Sequence, residues 1–140
     1  ENSPNKWVSQ LITGINRKRK PMEFFRWFDV GDVQSTDMMQ AIIKVCDGTP
    51  NTRHWLPTKE YAIVRDLFNI EIPSNLIIRV SSPMIDAPPV KWARHTGTAH
   101  TVGKKWIGKK CKAGDTSPPS CGTCRACWDS SVPNVSYPIH

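Results

Sequence analysis

No stretch of this 140-residue chain comes near the roughly 20 consecutive apolar residues that a helix needs to cross a bilayer, so no membrane span is expected. The opening Glu1-Asn2-Ser3-Pro4-Asn5-Lys6 lacks the charged-then-apolar layout of a signal peptide. It also lacks an initiating Met, so the expectation is a processed chain or part of a longer one. A Gly-rich phosphate loop, a zinc-protease helix and a nucleophile elbow are all missing, which leaves three common routes to catalysis without a motif. Cysteine is present but uneven: of five, Cys46 stands alone and four lie within the last thirty residues. The spread pairs of a secreted disulfide scaffold are absent, so a reducing cytoplasm with free thiols is expected. Acidic residues are absent from Lys91 to Lys112.

What is present describes one domain with an ordinary soluble composition, 39% hydrophobic and 22% charged. A chain of this size can bury a core without a metal to replace it. The formal net charge of +7 favours an acidic partner, most often nucleic acid.

Trp7, Val8, Leu11, Ile12 and Ile15 recur at helical spacing and predict a lead-in helix within residues 1–22, with Ser3-Pro4 as its start signal. Phe24 to Asp29 is rich in aromatics and reads as a buried strand. Ser35 can cap a helix whose apolar face is Met39, Ile42, Ile43 and Cys46, ended by Gly48 and Pro50. On that face Cys46 is a small buried hydrophobe. Arg53 to Leu56 predicts a second strand. Pro57-Thr58 opens a helix burying Ile63, Val64, Leu67 and Phe68, and Leu76 to Val80 predicts a third strand. Strand, helix, strand, helix, strand with short joints is the pattern of a parallel sheet. After Pro83 prolines, glycines and lysines dominate, so residues 84–140 are expected to be irregular and organised by a metal. The expected fold is therefore α/β. A small three-stranded parallel sheet, a partial barrel-like βαβαβ core over 23–83, carries flanking helices and a metal-stapled segment over 84–140.

Cys121-Gly-Thr-Cys124-Arg-Ala-Cys127 places three thiols at successive three-residue intervals, and Cys111 precedes them across the Pro118-Pro119 corner. Gly122 permits the tight wrap, and Arg125 with the local positive charge favours thiolates. Four thiolates suit tetrahedral zinc, whose usual signature is two separated Cys-x-x-Cys pairs. A triple with a remote single is closer to the ligation of a [4Fe-4S] cluster. Both metals fit. His95, His100 and His140 are rival ligands better read as loop or surface residues, and Trp128 would shield the site.

In an open parallel sheet ligands bind beyond the carboxyl ends of the strands. There Asp29, Asp32, Lys59 and Ser82 form a candidate rim for a small molecule, against the alternative that the carboxylates only cap turns. Lys91, Arg94, Lys104, Lys105, Lys109 and Lys110, interleaved with Trp92 and Trp106, offer cations for phosphates and aromatics for stacking on bases. The alternative is a solvated face whose tryptophans pack inward.

Phe25-Arg-Trp-Phe-Asp-Val-Gly-Asp-Val-Gln-Ser35, Trp55-Leu-Pro-Thr-Lys-Glu60 and Ser120-Cys-Gly-Thr-Cys-Arg-Ala-Cys-Trp-Asp129 together resemble a phage family, the gene product 88 domain, from residue 24 onward. The resemblance implies phage or prophage origin and a host-cytoplasmic setting, with no established activity. The first two segments also resemble, more weakly, barrel strands of radical S-adenosylmethionine enzymes. In those enzymes a cluster-binding cysteine motif precedes such strands, whereas no cysteine here precedes Cys46. The expected function is a phage-encoded metal-binding protein that contacts nucleic acid through its basic segment, without catalysis. The alternatives are a partial radical-enzyme-like domain binding a nucleotide-like molecule at the strand ends, and a modulator that binds a host protein.

Overall fold

The computed structural model describes residues 4–17, 19–28, 31–67, 69–101, 107–112 and 124–138. Along the chain run α1 (Pro4–Ile15), β1 (Phe24–Arg26), α2 (Thr36–Asp47), β2 (Arg53–Thr58), α3 (Tyr61–Arg65), β3 (Leu76–Ser81), β4 (Thr96–His100), β5 (Lys109–Lys110) and β6 (Asn134–Pro138). A short 3-10 turn covers Ala126–Trp128. The strands form one six-stranded sheet in the order β1-β2-β3-β4-β6-β5. The pairs β1–β2, β3–β4, β4–β6 and β5–β6 are parallel. The α/β class and the parallel sheet thus hold, but the expected three strands are six. None of the described helices is long and apolar enough to cross a membrane.

The chain divides into two compact units, Glu1–Leu56 with Glu60–Ile77, and Pro57–Lys59 with Ile78–His140. In the first, α2 begins where Ser35 Oγ accepts from the Met38 amide at 3.1 Å, which satisfies one of the orphan donors of the first turn. Asp37 lies in that first turn and Lys44 in the last, each favourable to the helix dipole. The predicted face, Met39, Ile42, Ile43 and Cys46, is buried. Burial raises the Cys46 thiol to about 12, aided by Asp47, so it stays protonated and apolar. Asn75 clasps the α2–β2 turn, its Nδ2 reaching the carbonyls of Cys46, Thr49 and Thr52 at 2.9–3.0 Å.

The run Pro57-Thr58 extends β2 rather than opening a helix, and α3 shrinks to five residues. Of the apolar face expected there, Val64 and Leu67 are buried, Ile63 is half-exposed, and Phe68 lies outside the described residues.

A fixed chain of hydrogen bonds crosses the first unit's core. Trp27 Nε1 donates to His54 Nδ1 at 3.0 Å, so the other ring nitrogen carries the proton and faces Thr49 Oγ1 at 2.8 Å. The Thr49 hydroxyl in turn donates to the Val45 carbonyl.

In the second unit the supposedly irregular tail contains β4, β5 and β6. These strands are joined by polar side chains. Thr96 Oγ1 donates to Asn134 Oδ1 at 2.8 Å, and Asn134 Nδ2 donates to Thr98 Oγ1 and to the Ile107 carbonyl. Ser136 Oγ bonds to both backbone groups of Ile107. Thr96, Thr98, His100, Asn134 and Ser136 are all buried. A search for apolar alternation cannot see such strands, because their inner face is filled by mutually satisfied hydroxyls and amides.

Burial holds the His54 imidazole at about 4, below its ordinary 6.5. The unfolded chain therefore binds this proton more readily than the folded one. Stability should be complete above pH 6.5 and fall as pH drops toward 4, by on the order of 3 kcal/mol. Urea denaturation across this window should show a smaller pH dependence in His54→Gln than in the parent chain. Equal slopes would refute the assignment.

Candidate functional site

Arg79 organises the second unit. It sits on β3 with 1% exposure, and its donors end on backbone carbonyls. Nε reaches Cys127 O at 3.0 Å; one terminal nitrogen reaches Ala126 O and Asp129 O at 2.9 and 3.0 Å; the other reaches Pro133 O and Thr96 O at 3.3 and 3.4 Å. Three of these carbonyls belong to the cysteine segment. Burial lowers the Arg79 pKa from its usual value, while Tyr137, Cys127 and Asp129 nearby raise it. A guanidinium remains charged in this setting, and its rigid fork of five donors suits a cluster of carbonyls.

The cysteine segment is the crossover from β5 to β6. Cys111 follows β5 directly, its amide donating to the Ser136 carbonyl at 2.7 Å. Cys127 lies in the 3-10 turn, buried, with Sγ 3.0 Å from the Tyr137 hydroxyl. Burial raises the Tyr137 phenol above its ordinary value, Cys127 adds to that shift, and Cys111 is near enough to act on the same phenol. Two predicted ligands sixteen positions apart thus approach one tyrosine. Cys124 is exposed, and Cys121 lies outside the described residues. Among the described residues no group of three His, Cys, Asp or Glu side chains is placed to hold a metal ion, so the predicted staple is not assembled there. Among the described residues of this segment, 126–133 are held by Arg79. The rival histidines are engaged elsewhere: His95 Nε2 meets the Ser130 carbonyl at 3.0 Å, and His100 Nε2 meets Thr98 Oγ1 at 2.7 Å. His140 lies outside the described residues.

A cavity of about 520 Å³ lies in the second unit at the carboxyl ends of β2, β3 and β4. Its walls include Lys59, Ser81, Ser82, Gly97, Ala99 and Tyr137. Of the predicted rim, Lys59 and Ser82 therefore meet. Asp32 is not in the walls; its carboxylate accepts from the Val33 amide at 2.7 Å, as a turn residue does. Asp29 lies outside the described residues.

Of the predicted basic set, Lys91, Arg94, Lys109 and Lys110 are exposed and Trp92 is half-buried, whereas Lys104, Lys105 and Trp106 lie outside the described residues. Lys109 and Lys110 form the edge strand β5, where exposed lysines also discourage pairing with another chain. Charge divides sharply between the units. Unit one holds nine Lys and Arg against nine Asp and Glu, and unit two holds ten against three, so the whole net charge of +7 belongs to unit two.

Sequence reasoning missed Arg79 and Tyr137. The signal for Arg79 was a lone charge inside the apolar run Leu76-Ile77-Ile78-Arg79-Val80. A cation there needs dedicated partners. Tyr137 left no comparable trace.

These features define an α/β protein with a parallel sheet and a cysteine-bearing crossover tied down by a buried arginine. The chain belongs to the phage Gene product 88 family, whose pattern it matches over residues 2–87. The match takes in Phe25–Ser35 and Trp55–Glu60 and ends before Ser120–Asp129, so the cysteine block lies beyond it. No curated protein and no solved structure matches the chain.

Replacing Arg79 with Leu would remove the guanidinium's hydrogen bonds to five carbonyls, of which Ala126 O, Asp129 O and Pro133 O keep a backbone donor. Loss of such a buried polar cluster costs on the order of 3 kcal/mol or more. Arg79→Leu should lower the urea midpoint by that amount and open residues 124–133 to protease. A variant as stable and as resistant as the parent would show that Arg79 does not hold the segment.

Proposed function

We propose that this phage protein acts in the host cytoplasm as a nucleic-acid-contacting protein. Its second unit supplies the binding face, and Cys111, Cys121, Cys124 and Cys127 bind a [4Fe-4S] cluster or Zn²⁺ that rigidifies the face. The observation that carries this reading is the partition of charge: ten basic against three acidic residues in the unit that holds these cysteines, and balance in the other. Exposed Lys91, Arg94, Lys109, Lys110, Lys112 and Arg125 can each neutralise a phosphate and release its counterion.

The residues present suit a thiolate-bound metal. Four thiolates around a divalent centre carry roughly two net negative charges. The buried guanidinium of Arg79, bonded only to carbonyls among the described residues, provides a compensating charge beside Cys127. Tyr137 offers a hydroxyl to the Cys127 sulfur, the kind of outer hydrogen bond that tunes a ligated thiolate. The metal's role here is structural: it would close the crossover at the end that Arg79 does not reach.

Protein purified without oxygen should carry iron and sulfide, with a brown colour and absorbance near about 400 nm, or else zinc without colour. Cys124→Ser should reduce the metal content. If neither iron nor zinc is retained, before or after metal is supplied to reduced protein, the metal part fails.

Binding to single-stranded DNA should weaken steeply with salt. Reversing Lys109 and Lys110 to Glu should reduce the log–log slope by about one to two, since each phosphate contact contributes about 0.7. Reversing the exposed Lys6 and Lys44 of the neutral unit should leave the slope unchanged. A flat salt response in the parent chain would overturn the nucleic-acid reading.

A further inference from the structure

The cavity in the second unit points to a ligand of its own, independent of any metal or nucleic acid. Its volume of about 520 Å³ falls in the range usual for small-molecule sites, roughly 300–1,000 Å³. It opens at the carboxyl ends of parallel strands, where such sheets bind ligands. One wall is apolar: Met84 and Ile85, which are 73% and 55% exposed, with Ala99 and the Tyr137 ring. Among the described residues of the lining Lys59 is the one basic side chain, and no Asp or Glu accompanies it there. Ser81 adds a hydroxyl.

The apolar wall is built in advance. The loop after β3 passes through Asp86, a non-glycine residue with φ of +59°. Asp86 is held there by its amide donating to Ala99 O at 2.7 Å and by its carboxylate accepting from the amide and hydroxyl of Thr101 at 2.9 and 2.8 Å. The Ser82 hydroxyl donates to Pro88 O at 2.7 Å, closing the loop from its other side. A backbone in this region persists only when its surroundings fix it. The loop therefore presents Met84 and Ile85 to the cavity without reordering, although both are exposed apolar side chains.

We propose that this cavity binds a small amphipathic anion: an apolar or aromatic body lying against Met84, Ile85 and Tyr137, with one carboxylate, sulfonate or phosphate at Lys59. A cation is disfavoured by the same ammonium and by the excess positive charge of the unit. A neutral apolar molecule would use the wall and gain nothing from Lys59.

Fluorescence titration of the full chain with 8-anilinonaphthalene-1-sulfonate tests this, with neutral N-phenyl-1-naphthylamine as the comparison. The sulfonate should bind at one site and at least about tenfold more tightly than the neutral compound. Lys59→Met should abolish the difference. Met84→Glu, which removes part of the apolar wall and sets a like charge in it, should weaken both probes, the sulfonate about tenfold more than the neutral compound. Both positions are exposed, and melting curves will show that the variants fold. Equal binding of the two probes, several equivalent sites, variants that bind the sulfonate as the parent does, or displacement of the probe by an oligonucleotide would each overturn the proposal.

Discussion

A positive charge buried on a strand and hydrogen-bonded to a cluster of backbone carbonyls is the constraint on which the second unit depends. Arg79 gathers oxygens from Thr96, Ala126, Cys127, Asp129 and Pro133, and so joins β3 to the start of β4 and to the crossover that returns as β6. Ala126 O, Asp129 O and Pro133 O also accept from backbone amides, so the guanidinium adds to bonds the backbone already makes. The guanidinium without these carbonyls would be a buried ion short of acceptors. It also accounts for how residues 126–133, with little apolar surface of their own, are held beside β3 and β4.

The polar inner face of β4 and β6 belongs to the same design. Thr96, Thr98, Asn134 and Ser136 bond mainly to one another and to Ile107. A network of this kind specifies register closely, because a slip by one residue would turn the hydroxyls outward and leave buried partners unmet. On the opposite side of these strands Gly97 leaves room for the Tyr137 ring, whose edge lies 3.3 Å from where a glycine Cβ would stand. Tyr137 is thus a shared wall, with Cys127 at its hydroxyl and the cavity along its ring.

How far the sequence reveals this molecule depends on which force shapes each part. Helix α2 was legible from Ser35 to Gly48 because a cap, an apolar period and a stop coincide, and Cys46 fell where that period put it. Strand β3 was legible as an apolar run, with Arg79 its one charged residue. Strands β4 and β6 were not, since Thr96-Gly-Thr-Ala-His100 carries no large apolar residue and Asn134-Val-Ser-Tyr-Pro138 alternates over only two apolar positions, too short a pattern to stand out. Their β-branched threonines were the available hint. Of the expected ligand rim, Lys59 and Ser82 line one cavity, whereas the Asp32 carboxylate accepts from the Val33 amide of its own turn. The cysteine spacing identified chemically matched residues. Their positions, however, depend on Arg79 and Tyr137, which no local pattern connects to them.

The strand order carries a consequence for how the chain acquires its form. β6 lies between β4 and β5 yet follows both in sequence, so β5 has no neighbour until the crossover from Cys111 to Pro133 has folded back and inserted the later strand beside it. A two-residue edge strand cannot hold itself in place while it waits. That long loop must therefore close before the edge strand can pair. The same return of the chain is what carries Cys127 from solvent to its buried place beside Arg79 and Tyr137.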